Sequence, residues 1–147
     1  RAGTVLEALI TEHSPDLVIA TGIAGGRTKV TPERVALNLR DARIPDNAGV
    51  QPSDEVAIQG GPDAYFTRLP VRDIVEKMNS AGIPAEISLS AGTYVCNDTM
   101  YHLLHLVARR STLAGFIHVP EAAELSIESS ATALRVAIET GLDSLPQ

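Results

Sequence analysis

The run Asp16-Leu17-Val18-Ile19-Ala20-Thr21 constrains this chain more than any other. Its apolar residues are consecutive and stand between a Ser14-Pro15 break and a glycine loop. The run is too short for a helix and lacks the alternation of a strand with one wet face. It fits a strand buried on both faces, as in a parallel sheet covered by helices. Matching helices are written around it. Val5, Leu6, Leu9 and Ile10 recur at helical spacing between Gly3 and His13, and Ser14-Pro15 ends them. Val71, Ile74, Val75 and Met78 repeat the pattern, stopped by Gly82 with Pro84 beyond. Met100, Leu103, Leu104 and Val107 do so again, as do Leu134, Val136, Ala137 and Ile138 within 131–140. Further strands are predicted over 30–40, where Val35, Leu37 and Leu39 alternate with Ala36 and Asn38, over 85–89, and over Leu113 to Val119. The expected fold is α/β: a three-layer αβα sandwich around a mixed, largely parallel open sheet, in a single domain over residues 1–147.

Charge and cysteine usage narrow the partners. A net charge of -6, with scattered Lys and Arg, argues against binding nucleic acid or an anionic membrane surface. One cysteine forms no internal disulfide, and no apolar run approaches the length of a membrane span, so a cytoplasmic protein is expected. The chain opens on Arg1 without a methionine and passes directly into a helical pattern.

That one cysteine, Cys96, follows a turn of small residues (Ala91, Gly92, Thr93) where the predicted 85–89 strand gives way to the Met100 helix. Near a helix N-terminus, unpaired N–H groups and the helix dipole favour a thiolate. On its own the residue fits a small buried hydrophobe better than a catalyst. A thiolate requires a base that accepts its proton and returns it to a leaving group, and His118, near the end of the Leu113 strand, suits that task. A carboxylate such as Glu33 would then orient the ring. Read alone, Glu33-Arg34 fits a surface ion pair. His102 and His105 lie opposite the apolar stripe of their helix and are expected to face solvent; their spacing suits a metal, but no third ligand is placed and no metal is assigned. The glycines at 22, 25 and 26 follow a strand yet lack the Gly-Lys-Ser/Thr of a phosphate cradle, so a plain turn is expected there. Residues 41–62 are rich in turn formers and form a long irregular excursion, of the kind that carries function or interfaces.

Several blocks, in order, resemble the pyroglutamyl peptidase I family. They are Gly25-Gly26-Arg27 with Pro32-Glu33-Arg34-Val35-Ala36, Asp41-Ala42-Arg43-Ile44-Pro45-Asp46-Asn47, Gly60-Gly61-Pro62 with Ala64-Tyr65-Phe66, Ala91-Gly92-Thr93-Tyr94-Val95-Cys96-Asn97, and Gly115-Phe116-Ile117-His118-Val119-Pro120. The resemblance implies a cysteine peptidase that hydrolyses the bond after an N-terminal pyroglutamyl residue through a thioacyl-enzyme. It makes Cys96 the nucleophile, His118 the general acid and base, and Glu33 the orienting carboxylate. Arg43 matches an arginine that helps hold the substrate carbonyl oxygen. Ile44, Tyr94 and Val95 match the walls of the lactam pocket. No cofactor is implied. The expected partners are peptides with N-terminal pyroglutamate, together with further copies of the chain in a homodimer or homotetramer.

The family normally begins with a further strand and a Gly- and Phe-bearing loop that have no counterpart here, so the N-terminal strand of the sheet is expected to be lacking. Ile23 stands where some members carry glutamine, and 121–129 looks shortened. Two other readings compete: a truncated relative acting as a subunit or peptide-binding module, and a phosphorylase-like enzyme of the same architecture, suggested by the glycine loop.

Overall fold

A computed structural model describes residues 2–146. The elements run α1 (Ala2–His13), β1 (Leu17–Ile23), β2 (Thr31–Pro32), β3 (Val35–Leu37), β4 (Ala64–Phe66), α2 (Val71–Ser80), α3 (Val95–Val107), β5 (Leu113–Val119) and α4 (Ile127–Asp143). A three-stranded mixed sheet has the order β1-β5-β2, with β1 parallel and β2 antiparallel to β5. A small antiparallel pair joins β3 to β4.

The period of β5 builds the three layers. Leu113, Ile117 and Val119 face one cluster, formed with Val71, Ile74 and Met78 of α2 and Ala133 and Ala137 of α4. Ala114 and Phe116 face the other, with Ile10 of α1 and Met100, Tyr101, Leu103, Leu104 and Val107 of α3. The sandwich is thus α2 and α4 over one face, α1 and α3 over the other. The same alternation puts His118 on the α3 face. In β1, Val18 and Ala20 point that way too, and Gly22 continues their row.

Three expectations about strands change. Strand β1 is only half-buried, because it pairs with β5 along one edge and no described strand pairs the other. The predicted 30–40 strand is two strands in two sheets. Val30, Thr31 and Glu33 are all buried, so this stretch has neighbours on both faces, and the chain leaves the main sheet at Glu33-Arg34. The predicted 85–89 strand survives only as isolated bridges, Val30 to Ala85 and Glu33 to Ser88. Its backbone does run parallel to 30–34: Val30 N donates to Pro84 O, Glu86 N to Val30 O, Ser88 N to Pro32 O and Arg34 N to Ser88 O. Pro32 has no N–H, so a central rung of that ladder is missing. Strand β4 was hidden among turn formers. Residues 41–62 are irregular, as expected, and α4 extends beyond the predicted 131–140.

Candidate active site

Three elements converge at the carboxyl end of the main sheet. Helix α3 begins directly after Tyr94, so Cys96 lies within its first turn rather than beside it. The first intrahelical bond there is Asp98 N to Tyr94 O, at 3.0 Å. The N–H groups of Val95, Cys96 and Asn97 precede it and are free to meet an anion. Tyr94 provides no side-chain cap to consume them. Asn97, 1% exposed, fixes this helix start in place. Its amide accepts from Leu37 N at 2.8 Å and donates to Leu37 O and Leu39 O at 2.9 and 3.0 Å, as a neighbouring strand would.

The thiol needs room, and glycine supplies it. A Cβ at Gly22 would stand 3.0 Å from Phe116 Cζ and 3.3 Å from Cys96 Sγ. Cys96 stands on one side of His118, near enough for its thiol to act on the imidazole. On the other, His118 Nδ1 lies 2.7 Å from Glu33 Oε1, with the histidine side chain 5% exposed and the glutamate fully buried. Nδ1 is therefore engaged, and Nε2 is the nitrogen left for the thiol. The Phe116 ring packs against the imidazole with centroids 4.8 Å apart.

Electrostatics follow from this geometry. Burial disfavours the charged form of His118, but the hydrogen bonds and charges of Cys96 and Glu33 outweigh it and raise the pKa from 6.5 to about 9. Burial likewise opposes ionisation of Glu33, yet bonds from His118 and Arg27, with the Arg27 charge, hold it below its ordinary 4.5. The Ser88 hydroxyl is directed at the Ser90 carbonyl, 3.1 Å away, and among the described residues Glu33 Oε2 has no hydrogen-bond partner of its own. A thiol, a protonated imidazole and a carboxylate in line can make a nucleophile and hold the proton that a leaving amine needs.

Glu33 is thus no surface residue, and its ion-pair partners are His118 and Arg27 rather than Arg34. Arg27, Gly22 and Asn97 were not singled out from the sequence for any role at this site. An asparagine inside a helix start is the one local signal among them, since its side chain competes for backbone bonds.

The other expected residues lie farther out. Arg43 and Ile44 are exposed on the 41–50 loop, Ile44 to 64%. That loop is tied to the cysteine turn: Asp41 N donates to Thr93 O, and Thr93 Oγ1 donates to Asp41 O, both at 2.8 Å. Tyr94 and Val95 line a cleft of about 510 Å³ together with Arg40, Val50, Pro52 and Asp98. Neither Arg43 nor Ile44 borders that cleft, nor does any of Cys96, His118 and Glu33. His102 and His105 do not face solvent as expected but are half-buried. His102 Nδ1 lies 2.8 Å from Asp98 O, and His105 Nδ1 lies 2.9 Å from the Tyr65 hydroxyl. Among the described residues no three His, Cys, Asp or Glu side chains gather as a metal site, and no helix is long and apolar enough to cross a membrane.

A family model described as pyroglutamyl peptidase matches residues 1–145. A pyrrolidone-carboxylate peptidase of Erwinia tasmaniensis is 54% identical over 84% of this chain and 58% of its own length. One from Enterococcus faecalis is 50% identical over 96% of this chain and 66% of its own. The crystal structure of Bacillus amyloliquefaciens pyroglutamyl peptidase I superposes with a TM-score of 0.94 at 43% identity, covering 99% of this chain and 76% of that one. The chain spans between about three fifths and three quarters of the length of these curated relatives, 58% of the Erwinia protein and 74% of one from Thermococcus onnurineus.

Proposed function

The chain belongs to the pyroglutamyl peptidase family, and we propose that it carries out a cysteine-peptidase reaction on peptides with an N-terminal pyroglutamyl residue. The observation that carries this reading is the unbroken line from Cys96 through His118 to a buried, ionised Glu33. In the proposed reaction the Cys96 thiolate attacks the pyroglutamyl carbonyl carbon. The carbonyl oxygen becomes an oxyanion, met by the free N–H groups at the start of α3 and by the Arg43 guanidinium. The carbon–nitrogen bond then breaks as His118 gives its proton to the departing amine, leaving a thioester on Cys96. Water attacks that thioester, with His118 taking its proton, and 5-oxoproline leaves as the thiol is restored.

Glu33 stays ionised throughout and keeps Nδ1 protonated, so that Nε2 does the proton transfers. Tyr94 and Val95, joined by Ile44 when the 41–50 loop closes on the substrate, supply apolar walls for the lactam, a ring with neither a charged amine nor a free carboxylate. The protein works in the cytoplasm as a homodimer or homotetramer, with no metal or cofactor. The retained line of three groups favours this over a non-catalytic subunit, and the family match favours it over a phosphorylase. The test is release of amine from a pyroglutamyl aminomethylcoumarin amide by the full-length polypeptide and by its Cys96→Ala variant. Turnover should fall by about four orders of magnitude or more on loss of the nucleophile; a folded Cys96→Ala protein with normal turnover would end the proposal.

A further inference from the structure

Arg27 follows the Gly25-Gly26 pair, and the reaction above gives it no part. Its guanidinium nevertheless reaches three groups. Nη1 lies 2.6 Å from Glu33 Oε1 and 2.5 Å from Thr31 Oγ1, and Nη2 donates to the Ser90 carbonyl at 3.0 Å. Ser90 opens the turn that leads to Cys96. One side chain therefore joins the carboxylate behind His118 to the backbone in front of the thiol. Among the described residues, Arg27 and His118 are the cations in ion-pair contact with Glu33.

We propose that Arg27 is a positioning residue of this site, whose charge balances the Glu33–His118–Cys96 cluster and whose planar fork holds the carboxylate and the cysteine turn in register. The inference rests on Cys96 and His118 working as a thiolate–imidazolium pair. In that state the thiolate, imidazolium and carboxylate carry one net negative charge, and Arg27 brings the sum to zero. Without it, a buried cluster of net negative charge holds its protons to higher pH. The protons belong to the coupled set rather than to one member.

Other charges lie nearby but make no ion pair with Glu33. Lys29 is taken up by Glu86 at 2.6 Å, with both side chains about half exposed. Arg34 adjoins Glu33 in sequence and is half-buried. Glu121, in the loop after β5, places Oε1 3.3 Å from where a Gly25 Cβ would stand. A lysine at position 27 would retain the charge but not the fork, and a glutamine would retain a donor but not the charge.

The test uses Arg27→Lys, Arg27→Gln and Arg27→Met in the full-length polypeptide. Alkylation of Cys96 by iodoacetamide is followed against pH, beside hydrolysis of the pyroglutamyl amide. The Gln and Met variants should move the acid limb of alkylation upward by about one pH unit or more, while Lys keeps it near wild type. A purely structural role would change rates and leave that limb in place. Should Met fail to fold, the contrast between Lys and Gln decides. Superposition of the Gln limb on wild type, or an equal shift for Lys and Gln, would overturn the inference. Absence of hydrolysis by the wild-type protein, with the alkylation shifts present, would defeat the peptidase reading and leave the role of Arg27 standing.

Discussion

The Glu33–His118–Cys96 line and the 41–50 loop are built on opposite principles. The line sits on core elements. His118 and Glu33 are 4% and 0% exposed, Cys96 is anchored through its neighbour Asn97, and side chains or backbone bonds hold each member from more than one direction. On the loop, Arg43 and Ile44 stand in water, tied to the site through the Asp41–Thr93 contacts. Chemistry that moves protons requires groups fixed to a fraction of an ångström. Such precision comes from packed elements, whereas a wall that receives a substrate can remain on a loop and close when the substrate arrives. Substitutions in the line should therefore change turnover, and substitutions on the loop should change affinity.

Among the residues that support the thiol and imidazole, the largest effect is expected at Glu33. Replacing it by Gln keeps the shape but loses the charge that holds the imidazolium and answers Arg27, and kcat for the pyroglutamyl amide should fall on the order of 10⁴-fold. A loss of less than tenfold would remove Glu33 from the line.

The next concerns pH. In the proposed reaction His118 must be protonated to release the amine, so kcat should decline above about pH 9, tenfold per unit. Stability follows the same groups. The raised pKa of His118 contributes stability that is fully present below about 6.5 and lost as pH rises through about 9. The lowered pKa of Glu33 contributes stability present above 4.5 and lost as pH falls below it. Melting temperature should therefore decline at both ends, and His118→Gln should remove the alkaline decline.

Gly22→Ala probes the line from the side. Its Cβ would crowd both Phe116 and the thiol, costing about tenfold in kcat and about 1 kcal/mol in stability. Ile44→Ala tests the loop. With the side chain mostly in water, stability should change by less than about 0.5 kcal/mol, while KM rises about threefold, for a modest loss of apolar contact, and kcat holds. A fall in kcat without a change in KM would mean that the loop belongs to the chemistry after all.

The sequence displayed the two regions unequally, for physical reasons. Strand β5 was legible to the residue, because a buried run closed by Pro120 has few alternatives. The end of α2 was legible through Gly82, whose φ of +76° suits glycine. Cys96, His118 and Glu33 were legible as candidates only when taken together, since each alone has a bland account. The 85–88 segment misled because Pro32, on its neighbour, interrupts the pairing, and no property of 85–88 itself records that. The surroundings of Glu33 were equally hidden: its partner Arg27 stands six residues away, directly after the Gly25-Gly26 turn, whereas Arg34 adjoins Glu33 in sequence without pairing with it. His105 is half-buried because Tyr65, from a strand that the sequence concealed, covers it, and His102 because Gly3 of α1 packs against its ring.

The central claim is that His118 and Glu33 act as one unit upon Cys96, and the Glu33→Gln/His118→Gln double variant addresses it most directly. Its kcat on the pyroglutamyl amide is compared with those of the two single variants. If Glu33 works through His118, the double variant should lose no more than His118→Gln alone, because a carboxylate has nothing to orient once the imidazole is gone. Losses that multiply would show two independent contributions and contradict the account.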